Sequence, residues 1–226
     1  MVHIHIRLRR NIYLKNQIDG DYAVEKTSNE ILYDIWDKHW DGGQKLTFAG
    51  KIFMPKRMAA LRETIESIYV KTAIDVGCGY GHLLTLFKNA GLSYVGIDIS
   101  ENSIEACKKK GLNARIGKIE KESNTYELVA SEGMLEHFLN FEPFARHMMR
   151  ISERYVLLMQ PNHDSFTGDT LAYVTRLLRG NNIVFEYNYR IKDFINVFES
   201  NGFRVVKCEP LLLDTSRLLL FEKDNK

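Results

Sequence analysis

The chain has 226 residues, 45% hydrophobic and 27% charged, enough for one domain with a sizeable core and an appended lid. Its formal net charge of +2 gives no general attraction to nucleic acid or to a membrane surface. Three cysteines, Cys78, Cys107 and Cys208, are widely spaced without a CxxC pair, so they read as reduced thiols of a cytoplasmic protein. Neither they nor His3 and His5 have metal-ligand spacing, and no metal is expected.

The opening run, Met1-Val-His-Ile-His-Ile-Arg-Leu-Arg-Arg10, alternates apolar and polar residues. It lacks the continuous apolar core of a signal peptide, and no later segment reaches membrane-spanning length. It reads as a short strand or arm, with Arg7, Arg9 and Arg10 either solvated or set against an anionic partner. Helical spacing then takes over. Ser28–Trp40 places Ile31, Ile35, Trp36 and Trp40 near one face and is stopped by Asp41-Gly42-Gly43. After Pro55, Met58–Tyr69 turns Leu61, Ile65 and Ile68 inward. Residues 1–70 are thus expected to form an arm and a helical cap, in which Trp36 and Trp40 either pack into the core or wall a substrate pocket.

The stretch with most chemical content is Ala73-Ile-Asp-Val-Gly-Cys-Gly-Tyr-Gly-His82, followed by Tyr94-Val-Gly-Ile-Asp98-Ile-Ser100. A short apolar strand carrying Asp75 runs into glycines at every second position, Gly77, Gly79 and Gly81, and then into the amphipathic run Leu83–Phe87. A second apolar strand ends in Asp98. The glycine turn lets a ligand lie against bare backbone, and the second-strand acid is placed to take a pair of hydroxyls. A phosphate-cradling loop needs G-x-x-x-x-G-K-[ST], and no lysine–hydroxyl pair follows here. A dinucleotide fold prefers G-x-G-x-x-G, but His82 stands at the third glycine. Asp75 would repel a pyrophosphate, whereas it would attract an ammonium. Dinucleotide binding is therefore disfavoured.

From Lys71 onward strands and helices alternate, the pattern of a parallel, doubly wound sheet. Strands are expected at Ala73–Val76, Tyr94–Asp98, Ala114–Ile116, Leu128–Ser131 and Tyr155–Met159, with helices at about Gly81–Asn89, Glu101–Lys110 and Glu142–Ile151. A further helix, Ile191–Ser200, ends at Asn201-Gly202. Two strands follow, Phe203–Cys208 and Arg217–Phe221, and their short connection implies antiparallel pairing. Between the fifth strand and the last helix lies an insert, 163–190, with a helix expected at Asp169–Arg179 and an aromatic run, Phe185–Tyr189. It leaves from the carboxyl end of a parallel strand, where ligands bind, so it is either a lid or a cover for the sheet edge.

The glycine motif, the order of elements and Leu128-Val-Ala-Ser-Glu-Gly-Met-Leu-Glu-His-Phe138 resemble class I methyltransferases that use S-adenosylmethionine. The last segment resembles the small-molecule group of ubiquinone biosynthesis. The resemblance covers Lys71–Ile151 well, the tail moderately and the first seventy residues hardly at all. It implies a mostly parallel seven-stranded Rossmann-like α/β sheet, with N-terminal helices before a cofactor-binding core at 71–226 and a lid insert after the fifth strand.

The resemblance also implies roles. Gly77, Cys78, Gly79 and Gly81 would lie under the methionine portion, with Asp75 near its amino group and Asp98 on the ribose hydroxyls. Ile99 would flank the adenine. Lys118 stands where the family often has an acid to take the adenine amino group, and the backbone of Gly117, Lys118 or Ile119 would replace that contact. Ser131 and Glu132 would pass beside the sulfonium. His137 is the residue placed to act as a base, or else to pin its loop. Trp36, Trp40, His163, Tyr173 and Tyr187 would face a small-molecule acceptor of a methyl group on oxygen, nitrogen or carbon, with S-adenosylhomocysteine as the other product. The near-neutral charge and the missing Asn/Asp-Pro-Pro-aromatic motif argue against nucleic acid. An RNA or protein methyltransferase, supported only by the basic start and Lys108–Lys110, and a non-catalytic partner subunit are the other readings. No oligomeric state is implied.

Overall fold

The computed structural model describes residues 48–168, 170 and 187–224. The basic arm, the helix expected at Ser28–Trp40, and Trp36, Trp40 and Tyr173 lie outside the described residues.

The first described element is α1, Phe48–Glu66, which begins ten residues ahead of the expected Met58 and runs through Pro55. A proline inside a helix removes one backbone hydrogen bond, and here it does not end the element. Leu61 and Ile65, one turn apart, are buried against the sheet. The helix stops just short of Tyr69, where Ser67 donates its hydroxyl proton to the Thr64 carbonyl at 2.7 Å.

Next come β1 (Thr72–Val76), α2 (His82–Asn89), β2 (Ser93–Asp98), α3 (Glu101–Lys109), β3 (Ala114–Ile116), β4 (Tyr126–Glu132) and α4 (Glu142–Ile151). The chain finishes with β5 (Ser152–Pro161), α5 (Ile191–Glu199), β6 (Phe203–Leu211) and β7 (Ser216–Lys223). The sheet order is β3-β2-β1-β4-β5-β7-β6. The first five strands pair in parallel, and β7 lies antiparallel between β5 and β6. This is the mostly parallel, seven-stranded α/β sheet expected. Ser100 caps α3 by accepting the Ser103 N–H, and Pro143 sits in the first turn of α4, where its missing N–H is not needed.

Each face of the sheet buries its own core. Leu61, Leu83, Leu84, Phe87 and Ile104 bring α1, α2 and α3 onto one face. Phe144, Met148, Phe194 and Phe198 bring α4 and α5 onto the other, where Phe198 stacks on Phe221 with centroids 4.3 Å apart. Strands β5, β6 and β7 run longer than their apolar centres. The antiparallel ladder from Tyr155↔Glu222 to Pro161↔Ser216 holds polar ends that periodicity does not mark as strand.

Candidate cofactor and acceptor site

The site grows from the carboxyl end of β1. Gly77 and Cys78 both donate their N–H to the Ile97 carbonyl, at 2.9 and 3.1 Å, and Gly81 donates to the Cys78 carbonyl at 2.8 Å. The chain makes this compact loop with Gly77, Gly79 and Gly81 at φ of 73°, 47° and 77°, a region that side chains disfavour. Gly81 also has no space: a Cβ there would stand 2.6 Å from Leu112 Cδ1 and 2.9 Å from Cys107 Sγ. Cys78 and Cys107 are free and buried beneath the loop, and Cys107 donates to the Gly79 carbonyl at 3.2 Å.

Asp98, at the end of β2, closes the loop from the side. Its Oδ2 accepts the Gly79 N–H at 2.8 Å and its Oδ1 accepts the Ser100 N–H at 2.9 Å. Asp75 is opposite Gly96 on β2 and Ala130 on β4, in the middle of the parallel strands. It is buried, and its Oδ1 has no partner among the described residues. Burial above all, then the charges of Glu132 and Asp98, hold its carboxyl well above the usual range. A buried, electron-rich oxygen with no donor is a place for a cation.

Around this pair, Gly117 donates its N–H to the Asp98 carbonyl at 2.9 Å, Ile119 is buried, Ile99 is half-buried and Lys118 is exposed. Ser131 spends its hydroxyl proton on the Val76 carbonyl at 2.7 Å, tying β4 to β1. Glu132 is paired with Arg57 Nη2 at 2.6 Å and lies 4.0 Å from His82 Nδ1. Burial is the largest influence on His82 and lowers its pKa, so the neutral ring is favoured. Beyond β4, Leu135–His137 forms a single 3₁₀ turn with His137 buried and its Nε2 3.9 Å from Glu136 Oε1. Tyr187 N–H donates to the Glu136 carbonyl at 2.8 Å, which seats the end of the insert on this turn. His163 follows buried Asn162 just past β5.

The structure therefore gathers Asp75, the glycine loop, Asp98 and Glu132 at one point, and sets His137 and Tyr187 together beside it. Three neighbours were missed in the sequence reading. Arg57 reaches Glu132 and Met159 from α1; its signal is the four-residue step to Leu61 and Ile65 along the inward face. Met134 lies over Gly77, with Cγ and Sδ 3.1 Å from where a Cβ would be. Gln160 is fully buried at the end of β5. Neither of the last two has a periodic signal.

Residues 51–208 match the methyltransferase domain family, which spans most of the chain. The chain belongs to that family. It falls in the class I group that uses S-adenosylmethionine, and its curated relatives in that family are ubiquinone biosynthesis O-methyltransferases. The mitochondrial one of Schizosaccharomyces pombe is 28% identical over 146 residues, which is 59% of this chain and 53% of that protein. The Methylococcus capsulatus protein is 33% identical over 93 residues, 37% of this chain and 39% of that protein. The chain thus spans about half the length, or less, of the curated relatives it matches. The methyltransferase fold is shared with magnesium protoporphyrin IX methyltransferase of Synechocystis PCC 6803, solved with bound S-adenosylhomocysteine. That structure is 18% identical with a TM-score of 0.66, over 89% of this chain and 98% of the other. Among the described residues no helix is long and apolar enough to cross a membrane, and no group of three or more His, Cys, Asp and Glu could hold a metal ion.

Proposed function

We propose that the chain transfers a methyl group from S-adenosylmethionine to an oxygen of a small-molecule acceptor. The observation that carries this reading is the orphaned, buried Oδ1 of Asp75 beside a loop with glycine at every second position that Asp98 flanks. These residues fit the cofactor. Asp75 would take the ammonium of the methionine portion, and Arg57 would take its carboxylate, since Glu132 uses only part of the guanidinium fork. Asp98 has a second lone pair on each oxygen for the ribose hydroxyls. The relatives, named as O-methyltransferases, support oxygen as the acceptor atom.

When bound, the cofactor supplies an activated methyl carbon on a sulfonium, so the protein's part is placement more than bond-breaking. Aligned reactants can gain about 7–11 kcal/mol from orientation alone. Met134 packs over Gly77 of the glycine loop, and the Tyr187 N–H donates to the Glu136 carbonyl where the insert ends. His137 is the group available to take a proton from a hydroxyl that must lose one. Calorimetric titration with S-adenosylmethionine and S-adenosylhomocysteine, then transfer of labelled methyl to a panel of phenols, tests the reading. Binding followed by label in an aryl ether is expected. Binding without transfer to any small molecule would turn the search to RNA or protein, and no binding by folded protein would make the chain a partner subunit.

A pH dependence follows from Asp75. Its carboxyl holds a proton at pH values where an exposed aspartate has lost it. The folded protein therefore binds a proton that the unfolded chain releases, and Asp75 costs stability progressively as pH rises from its ordinary value to its raised one. An ammonium favours the ionised form, so cofactor affinity should climb over that same interval. The gain ends where the ligand's own amine deprotonates, about pH 7.7–8. Asp75→Asn should bind more weakly, and its affinity should not climb with pH over that interval. An unchanged slope in the variant would show that Asp75 is not the ammonium's partner.

A further inference from the structure

Two buried thiols that methyl transfer does not use lie directly beneath the glycine loop. Cys78 belongs to the loop and Cys107 to α3, and both are free and buried, Cys107 completely. Their surroundings bring them together. A Cβ on Gly96 of β2 would stand 2.8 Å from Cys78 Sγ, and one on Gly81 would stand 2.9 Å from Cys107 Sγ. Leu84 Cδ1 is beside both places, at 2.6 and 3.5 Å. The two thiols share a hydrogen bond. Cys208 stands apart, exposed on β6 at the far edge of the sheet.

The pair differs from two apolar fillers, because its hydrogen bonds continue into the loop. Cys107 donates to the Gly79 carbonyl at 3.2 Å, and the Gly79 N–H donates to Asp98 Oδ2 at 2.8 Å. One glycine is thus held by a thiol at its carbonyl and by Asp98 at its amide. The thiols are also unequal. The Cys78 hydrogen bond above all, and the Lys110 charge after it, lower the pKa of Cys107 against its burial. The same bond, and then burial, raise that of Cys78. Lys110 is anchored nearby, its Nζ donating to the Tyr80 carbonyl at 2.8 Å. A sulfur inclined to ionise beside a protonated thiol suits attack by the first and resolution by the second.

We infer that Cys78 and Cys107 form an oxidation site that hydrogen peroxide closes to a disulfide, weakening the glycine loop's hold on the cofactor. The effect on the cofactor rests on the methyltransferase reading above. Hydrogen peroxide, little larger than water, is an oxidant small enough for a buried pair. Cys107 sulfur takes one of its oxygens: an S–O bond forms, the O–O bond breaks, and the other oxygen leaves as water with the thiol's proton. Cys78 sulfur then attacks Cys107 sulfur. An S–S bond forms, the S–O bond breaks, and a second water leaves with the Cys78 proton. The two thiols have lost two electrons, and the peroxide has gained them. A disulfide has no S–H, so the Gly79 carbonyl loses its donor. The sulfurs must also close to about 2.05 Å, which draws the loop against α3.

The test uses the full chain carrying Cys208→Ser, so that only the two buried thiols remain. It is treated with hydrogen peroxide, freed of excess oxidant, mapped by mass spectrometry and melted to confirm that it is folded. Loss of two hydrogens and a Cys78–Cys107 cross-link are expected. Calorimetry should then show S-adenosylhomocysteine binding about fivefold more weakly than before oxidation, the effect of one hydrogen bond, with recovery after dithiothreitol. By reciprocity, saturating S-adenosylhomocysteine should favour reduction of the disulfide by the same factor in a dithiothreitol redox buffer. Cys107→Ser keeps a donor for Gly79 but breaks the pair, so peroxide should leave its affinity unmoved. Absence of the cross-link, a cross-link with unchanged affinity, or an equal effect of peroxide on Cys107→Ser would overturn the inference. Protein that forms the cross-link but binds no S-adenosylhomocysteine even when reduced would instead keep the oxidation site and remove the reading beneath its effect.

Discussion

Asp98→Ala is expected to weaken S-adenosylmethionine binding by at least about a hundredfold. The proposed ribose contact would lose two hydroxyl-to-carboxylate bonds at about 1.5–3 kcal/mol each, and a hundredfold corresponds to about 2.7 kcal/mol. The loss is compounded in the free protein. Asp98 accepts the Gly79 and Ser100 N–H groups, so removing it leaves two buried donors unmet and loosens the loop that the cofactor must meet. Asp98→Asn separates the two effects, because its amide oxygen can still accept one of these N–H groups while the charge is gone. It should fold closer to wild type, yet still bind at least about tenfold more weakly. Calorimetry beside a thermal melt reads both quantities. A folded Asp98→Ala protein that binds within threefold of wild type would refute the ribose assignment.

Gly81→Ala is expected to cost the fold about 2–5 kcal/mol. Gly81 sits at φ 77°, where an L side chain costs about 1–2 kcal/mol. Its new methyl would stand 2.6 Å from Leu112 Cδ1 and 2.9 Å from Cys107 Sγ, inside a packed core, and overpacking costs about 1–3 kcal/mol more. At about 2–4 °C per kcal/mol for a chain of this size, Tm should fall by roughly 10 °C. Gly91 supplies the control, since it has φ 72° but nothing within 4 Å of a Cβ. Gly91→Ala should lose only the backbone part, about 3–5 °C. Equal losses at the two positions would show that Gly81 is not packed against Leu112 and Cys107 as described.

Much of the site was legible because its parts are local. Asp75 and the three glycines lie within seven consecutive residues, and the strand–turn–helix they belong to is set by apolar runs on either side. Asp98 was legible for a related reason: successive parallel strands end on the same side of the sheet, so an acid at the end of the next strand must arrive beside the turn. Their contact is the Gly79 N–H bond at 2.8 Å. The short link between β6 and β7 likewise announced the antiparallel pair.

Other parts were settled by distant neighbours. Arg57 is 102 positions from Met159, whose sulfur its Nε meets at 3.1 Å, and nothing in α1 tells which strand end its guanidinium will find. Pro55 read as a boundary, yet α1 passes through it, since burial of Leu61 and Ile65 anchors the helix on the sheet. Met134 becomes a lid over Gly77 only through the bend that follows β4.

Short-range pattern was thus enough for the order of strands and helices, the parallel sheet with its closing hairpin, and the glycine loop with its two acids. Each of these is dictated by φ preferences, strand periodicity or connection length within a few tens of residues. Long-range packing had to supply the electrostatics. Asp75 keeps its proton above the usual carboxylate range because β2 and β4 flank it and bury it near Glu132 and Asp98. Gln160 loses water because β4 and β7 close on β5 from either side. Charge and hydrogen-bonding state depend on burial, and burial is a property of neighbours that the chain meets only when it folds.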